Sequence, residues 1–283
     1  MLEGEYIKNN TRFCKPPRKI GNSIFLRNVI FVYSDTIELD MQNLLVEEGI
    51  NTIRLTDDYK LDNLDFLNDY DLPFIRSIDI LSDTVKNIEG VYNLENLEAI
   101  SSNNQKIDYT RFHKLRSIGG ELSAFSYKTL SELNTLERIS ITNKFKENNV
   151  EVFSKNKGLR QLMLRGSKIT SLKGLENFKE LEELKLFHNR SLESLEGITE
   201  EHIKLIKIAI YMAPKLFYVN DYLAPLTWLE YLQLETKKID SYKFLDGLTN
   251  LNTVGIHNKL NDVEDGDKEP LINALKRTNG EIW

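Results

Sequence analysis

One cysteine, Cys14, stands in 283 residues. A lone thiol has no internal partner, so no disulfide staples this chain, which fits a reducing compartment and speaks against a cross-linked secreted scaffold. Long apolar runs are missing too, and nothing approaches the roughly 18 residues that a membrane-spanning helix needs. The N-terminus, MLEGEYIKNNTRF, carries acids where a signal peptide carries a basic region, and no apolar segment follows it. The sequons at Asn9 and Asn189 then read as chance matches. A cytoplasmic protein without membrane contact is expected.

Basic charge is not in excess. The net charge of −6 gives no bulk attraction for nucleic acid or an anionic membrane. There is no Gly-rich phosphate loop, no G-x-S-x-G and no H-E-x-x-H. Residues 261–269 have the carboxylates of a calcium loop, but the glycine falls at the fifth position from Asp262 and no glutamate occupies the twelfth. A solvated turn fits better. Cys14 precedes Lys15, a neighbour that lowers a thiol pKa, yet no acid or base completes a motif around it. Neither cofactor, metal nor catalytic residue is expected.

What the chain does have is a period. Leu159, Leu162 and Leu164 stand at positions one, four and six of a unit, and Leu181, Leu184 and Leu186 repeat that spacing in the next. Ile203, Ile206 and Ile208 read as the unit after it. Further starts fall at Ile50, Ile75, Leu97, Leu115, Leu136, Leu229 and Leu251, which makes about ten units of uneven length over residues 50–260. The units at Leu97 and Leu115 are the most degenerate, with Ser102 and Gly120 at position six. Positions four and six lie two apart and point to one face of a strand. Beyond the strand the apolar residues come in threes, as in Ile169, Leu172, Leu175 and Phe178, a spacing that suits 3₁₀ turns with one buried edge. Strand, bend and tight return form a coil that cannot bury its apolar face alone, so stacking is obligatory.

Both ends then need caps. Residues 1–49 read as an irregular lead-in over 1–20, one or two strands within 24–33, and a short helix within 35–48 stopped by Gly49. Residues 261–283 read as a cap helix with Asp267 as N-cap, Pro270 in the first turn and Leu271, Ile272 and Leu275 as apolar face, followed by a strand over Glu281–Trp283. Two insertions interrupt the array. Residues 143–158 are polar with Val150, Val152 and Phe153 as anchors, and residues 211–228, rich in aromatics, make their unit the longest.

These residues resemble the leucine-rich repeat superfamily, whose signature is L-x-x-L-x-L-x-x-N/C-x-L. The period near 22 and the I-x-x-L-x-G-L-x-x-F of Ile169–Phe178 are similar to the short-unit class of bacterial internalins and eukaryotic phosphatase regulators. The resemblance implies an α/β fold: a right-handed solenoid with a parallel concave β-sheet, a 3₁₀ or short-helical convex side, and a cap at each end. The family's ninth position is usually Asn. Here Asn189 alone keeps it, while Asp58, Asp83, Gln105, Ser167, Lys237 and Lys259 stand elsewhere, so the asparagine ladder is largely missing.

Positions three, five and seven face outward on such a sheet. In the later units they read Gln161, Glu183, Leu205, Tyr231 and Thr253; Met163, Lys185, Lys207, Gln233 and Gly255; and Arg165, Phe187, Ala209, Glu235 and His257. Exposed Met, Phe and Tyr beside Arg and Lys are the composition of interface hot spots, though ordinary variable surface is the alternative. The candidate protein-binding residues are Met163, Arg165, Lys185, Phe187, His188, Lys207, Tyr231, Gln233, Glu235 and His257. His188 and His257 lie about 14 Å apart across two intervening strands, too far to share a metal. The expected function is a non-enzymatic, monomeric module that binds a protein partner, within that class an intracellular inhibitor or immunity-type protein. An internalin-like surface adhesin is disfavoured, since no signal peptide or wall anchor is seen. The alternative is a leucine-rich repeat effector or enzyme-associated protein acting through its N-terminal part. Nucleic acid is disfavoured as a partner because Glu183 and Glu235 lie among the few outward cations.

Overall fold

Each coil rests on the same alternation, in which the residues at strand positions four and six point into the core while their neighbours point away. A computed structural model describes residues 5–8, 11–14, 29–32, 41–143, 145–257 and 263–278. The chain divides into two compact units, Met1–Leu130 and Ser131–Trp283.

In the first unit β1 (Glu5–Lys8) and β2 (Thr11–Cys14) form an antiparallel hairpin, and β2 pairs antiparallel with β3 (Val29–Val32). The lead-in over residues 1–20 thus holds two strands, where an irregular segment was expected. β3 runs parallel to β4 (Thr52–Leu55), with Ile30 opposite Ile53 and Val32 opposite Leu55. The array's register therefore starts at β3, ahead of Ile50. Between them α1 (Met41–Glu47) ends at Gly49, whose φ of 61° favours a residue without a Cβ. β5 (Ser77–Ile80), β6 (Ala99–Asn103) and β7 (Ser117–Glu121) continue the parallel ladder. The two degenerate units keep their register: Ile100 opposes Ile118 and Ser102 opposes Gly120. Gly120 has a φ of 89°, and a Cβ there would collide with the Ser102 carbonyl, so glycine at position six allows close backbone approach. α2 (Ala124–Thr129) follows, capped by the Ser123 hydroxyl, which accepts from the Ser126 N–H at 3.1 Å.

The second unit stacks six parallel strands in sequence order: β8 (Arg138–Thr142), β9 (Gln161–Arg165), β10 (Glu183–Phe187), β11 (Lys207–Tyr211), β12 (Tyr231–Glu235) and β13 (Thr253–His257). The returns are 3₁₀ turns at Glu151–Phe153 and Leu175–Asn177 and one-turn helices α3 (Asn220–Leu223) and α4 (Phe244–Gly247). Ile169, Leu172, Leu175 and Phe178 are all fully buried, as a spacing of three requires of an inward edge. Residues 143–158 are held by Val150 and by Phe145 stacked on Phe153 at 5.4 Å, whereas Val152 is only partly buried. α5 (Glu269–Arg277) closes the unit. The N-cap is Lys268 where Asp267 was expected, although Asp267 accepts from the Glu269 N–H at 3.1 Å; the buried face is Pro270, Leu271 and Ala274, and Ile272 is 38% exposed. The i, i+1, i+4 spacing places Ala274 inward, where Ile272 and Leu275 were expected to share the contact. The strand expected at Glu281–Trp283 lies outside the described residues.

One unit is displaced from its expected register. β11 pairs Leu184 with Ile208 and Leu186 with Ile210, so position one is Leu205 and not Ile203. Leu205 is 0% exposed, whereas Ile203 is 64% and Ile206 40% exposed. The bends agree. Position eight takes a left-handed conformation at Asn104, Asn143, Gly166 and His188, and the next left-handed residue is Met212, eighth from Leu205. The buried residue three before each start agrees as well, Asn156 before Leu159 and His202 before Leu205. Leu205 thus stands midway between the starts at Leu181 and Leu229. The extra pair of residues falls in the turn that leads to His202.

A mixed polar spine does the work of the missing asparagines. Asn189 is fully buried; its Oδ1 accepts from the N–H and hydroxyl of Ser167 at 2.9 and 2.6 Å, and its Nδ2 donates to the Leu164 carbonyl at 3.1 Å. Gln105 reaches the same kind of partners from a longer stem, accepting from the Asn103 N–H at 2.6 Å and donating to the Ser82 carbonyl at 3.1 Å. On the return side, buried His202 sits 3.0 Å from the Leu175 carbonyl through Nε2 and 3.1 Å from the Thr199 N–H through Nδ1.

Two stability outcomes follow from this register. Leu205→Ala is expected to cost about 2–5 kcal/mol as a core truncation, while Ile203→Ala stays within about 0.5 kcal/mol; urea-melt midpoints that rank the two the other way would restore the Ile203 register. Asn189→Ala strands the Ser167 N–H and the Leu164 carbonyl in the core and is expected to cost about 1–3 kcal/mol in the same melts.

Candidate functional site

The rows of side chains that strand pairing creates decide which chemistry the sheet face exposes. On the first unit's sheet face, Thr52, Arg54, Ser77 and Asp79 are all buried, and the Arg54 guanidinium places two donors on one Asp79 oxygen at 2.9 and 2.6 Å. Its later strands offer small groups, Ala99, Ser101, Ser117 and Gly119. The second unit's face is open and chemically rich.

With β11 in its observed register the three outward rows of that unit are fixed. Position three runs Arg138, Gln161, Glu183, Lys207, Tyr231 and Thr253. Position five runs Ser140, Met163, Lys185, Ala209, Gln233 and Gly255, and position seven runs Thr142, Arg165, Phe187, Tyr211, Glu235 and His257. Lys207 therefore moves from the middle row to the first, between Glu183 and Tyr231. Ala209 moves to the centre of the sheet, and Tyr211 enters beside Phe187.

Each row has a physical logic. In the seventh, the Phe187 and Tyr211 rings stack at 5.4 Å and 7°, and the Arg165 guanidinium lies 5.1 Å from the Phe187 centroid on the other side. In the third, the Lys207 ammonium sits 4.4 Å from the Tyr231 centroid. In the fifth, Lys185 pairs with Glu183 on its own strand, and the Gln233 amide lies over Gly255, where a Cβ would collide with it. His257 Nε2 is 3.3 Å from Gln233 Oε1. Burial raises the Tyr211 phenol pKa to about 12, with further contributions from the Tyr231 hydroxyl and the Glu235 carboxylate. Tyr211 thus stays neutral at physiological pH, a hydroxyl for hydrogen bonding and not a base.

Two hollows lie on this face. The first, of about 440 Å³, has Ala209 as its floor, because alanine stands between the longer Lys185 and Gln233; Phe187, Tyr211, Tyr231 and Lys207 form its wall. The second, of about 470 Å³, lies past the strand ends among Arg190, Met212, Pro214, Lys237 and His257. Met212 and Glu235 line both, which makes a trough across β10 to β13. His188 and Met212 reach it from bends with φ of 58° and 55°.

Of the residues that the sequence singles out, Lys185, Phe187, His188, Lys207, Tyr231 and Glu235 meet around the Ala209 hollow, and His257 lines the second. Met163 and Arg165 lie one strand away, opposite Lys185 and Phe187, and Gln233 forms the rim above Gly255. Tyr211, Met212 and Arg190 were missed. The first two were hidden by the register at Ile203, and a start at Leu205 would have exposed both. Among the described residues no three His, Cys, Asp or Glu side chains gather to hold a metal, and no helix is long and apolar enough to cross a membrane.

Comparison of the sequence with protein-family models and with curated proteins gives no match. Solved structures do match. An internalin (inlF) of Listeria monocytogenes superposes with a TM-score of 0.60 at 17% identity, over 85% of this chain and 68% of that one. An internalin C2 of the same organism aligns at 17% identity over 75% of this chain and 81% of that one, with a TM-score of 0.45. The first likeness is one of fold, and it agrees with the parallel in-register strands and the repeated left-handed bends. The fold is that of a leucine-rich repeat solenoid.

Proposed function

We propose that this protein is a non-enzymatic binding module that takes a protein partner on the outward sheet face of residues 131–283. The observation that carries this reading is the cluster around Ala209. There Phe187, Tyr211, Tyr231 and Lys207 wall a hollow on a sheet whose backbone is fixed by its leucine rows. Aromatic and cationic groups around a depression are what hot spots are made of. A rigid sheet also lowers the ordering cost of association, since little of the face has to be organised on binding.

Within that class the finer proposal is an intracellular inhibitor or immunity-type protein that acts as a monomer. Its support is the single cysteine and the acidic net charge of −6, both in keeping with a soluble intracellular antagonist. A gene adjacent to this one that encodes a toxin, neutralised on co-expression, is the outcome that supports it, and a toxin that retains its activity on co-expression counts against it.

The face itself is tested by quantitative pull-down from lysate of the source organism with wild type and the Phe187→Ala/Tyr231→Ala double variant. Truncating two such anchors is expected to cost more than about 2 kcal/mol of binding, or more than about thirtyfold in affinity for the specific partner. Equal recovery of every protein by both baits would sink the proposal.

A further inference from the structure

Off the sheet face of the second unit, several cations pair with carboxylates of the neighbouring coil: Arg160 with Glu182, Lys173 with Glu151 at 3.3 Å, Lys215 with Glu193 at 2.9 Å, and Lys179, Lys204 and Lys238 with Glu201, Glu180 and Glu264, while Lys157 and Arg277 bond an amide and backbone carbonyls instead. Such exposed pairs are individually weak, but they neutralise each cation locally. Arg165 and Lys207 lie over aromatic rings and make no ion pair with any carboxylate of the described residues, and the same holds for Arg190 and Lys237 beside the second hollow.

The trough is thus a positive strip on a protein of net charge −6. Its two hollows are lined by Lys185, Lys207, Arg190 and Lys237, four cations, against Glu235, one carboxylate, and Lys185 has a second carboxylate beside it in Glu183. A strip that differs in sign from its carrier selects partners of the opposite sign and speeds their approach. Shape sets the rest. From β10 to β13 the trough crosses three strand intervals, about 14 Å at roughly 4.8 Å each. That length takes about four residues of extended chain. The Ala209 hollow, ringed by Phe187, Tyr211 and Tyr231, accepts one large apolar side chain.

We infer that the partner segment received here is an extended acidic peptide with a single aromatic or aliphatic anchor. The anchor fills the hollow over Ala209, and carboxylates beside it reach Lys207 at the hollow and Arg165 one strand beyond it. This rests on the reading of the face as a protein-binding surface and adds the chemistry of what it binds. Single-stranded nucleic acid also combines stacking with cation contacts. Glu183 and Glu235, placed among the cations, repel a continuous phosphate backbone, whereas a peptide can set its carboxylates clear of them.

The test is a random twelve-residue peptide library on phage, panned against the immobilised full chain and against Arg165→Glu/Lys207→Glu, with circular dichroism melts to establish that both are folded. Peptides enriched on wild type are expected to carry net negative charge and one large apolar residue, and to bind the charge-reversed variant at least about tenfold more weakly. A pool selected on the variant is expected to lose the acidic bias. Enriched peptides of neutral or basic charge that still lose binding to Phe187→Ala/Tyr231→Ala overturn the acidic chemistry and leave the face standing. Peptides indifferent to both double variants, or a library that yields none, overturn the face as well. Fluorescein-labelled oligouridylate that displaces the enriched peptides overturns the peptide assignment in favour of nucleic acid.

Discussion

No coil of this protein can bury its own leucines, and the rest of the structure follows from that constraint. Leu162 and Leu164 are sealed only because Leu184 and Leu186 lie in register beside them, and those in turn by Ile208 and Ile210. Each strand therefore inherits its register from its neighbour, and a slip exposes a whole row. Degenerate positions are tolerated because the neighbouring strands hold them in line. Ser102 and Gly120, opposite each other at position six, remain in register with an isoleucine pair two residues before them.

Backbone polar groups impose the second constraint, since the buried bend of every coil must satisfy its N–H and C=O groups. One residue type repeated as a ladder is one solution, and this chain reaches the same end piecemeal. Asn189 spans two coils through one amide, Gln105 does so from a longer stem, and the Ser82 hydroxyl donates to the Tyr59 carbonyl at 2.9 Å. The requirement is thus for a buried amide or hydroxyl within reach and not for asparagine as such. A signature that prizes asparagine reads weakly over a sequence whose spine is intact.

The same physics explains what was legible in the sequence. Strand position and face were readable wherever the leucine triad was unambiguous, which holds for the units at Leu159, Leu181, Leu229 and Leu251. Around β11 the alternation offered two answers. Ile206, Ile208 and Ile210 all fall on one face of a strand, so sliding by two residues keeps every isoleucine on that face. Only position one and the bend discriminate, and these favour Leu205 and Met212. The ambiguity was local, yet it fell at the centre of the candidate site: it hid Tyr211, placed Ala209 at an edge, and gave Lys207 the wrong neighbours. The hairpin of β1 and β2 was illegible for another reason. Its two short strands show neither a clean alternation nor a run of β-branched residues, and strand pairing alone defines it.

A fold held by its inward rows leaves its outward rows and its bends free to vary. At position eight the backbone turns left-handed, and Gly166 meets that demand at no steric cost. In the next two coils the same position carries His188 and Met212, where a side chain opposes the turn by about 1–2 kcal/mol. Stability alone gives no reason to keep side chains there, and both of them line the hollow over Ala209. Asn104 and Asn143 carry the same left-handed bend elsewhere, so what sets His188 and Met212 apart is only that their side chains stand beside the aromatic rings of the hollow.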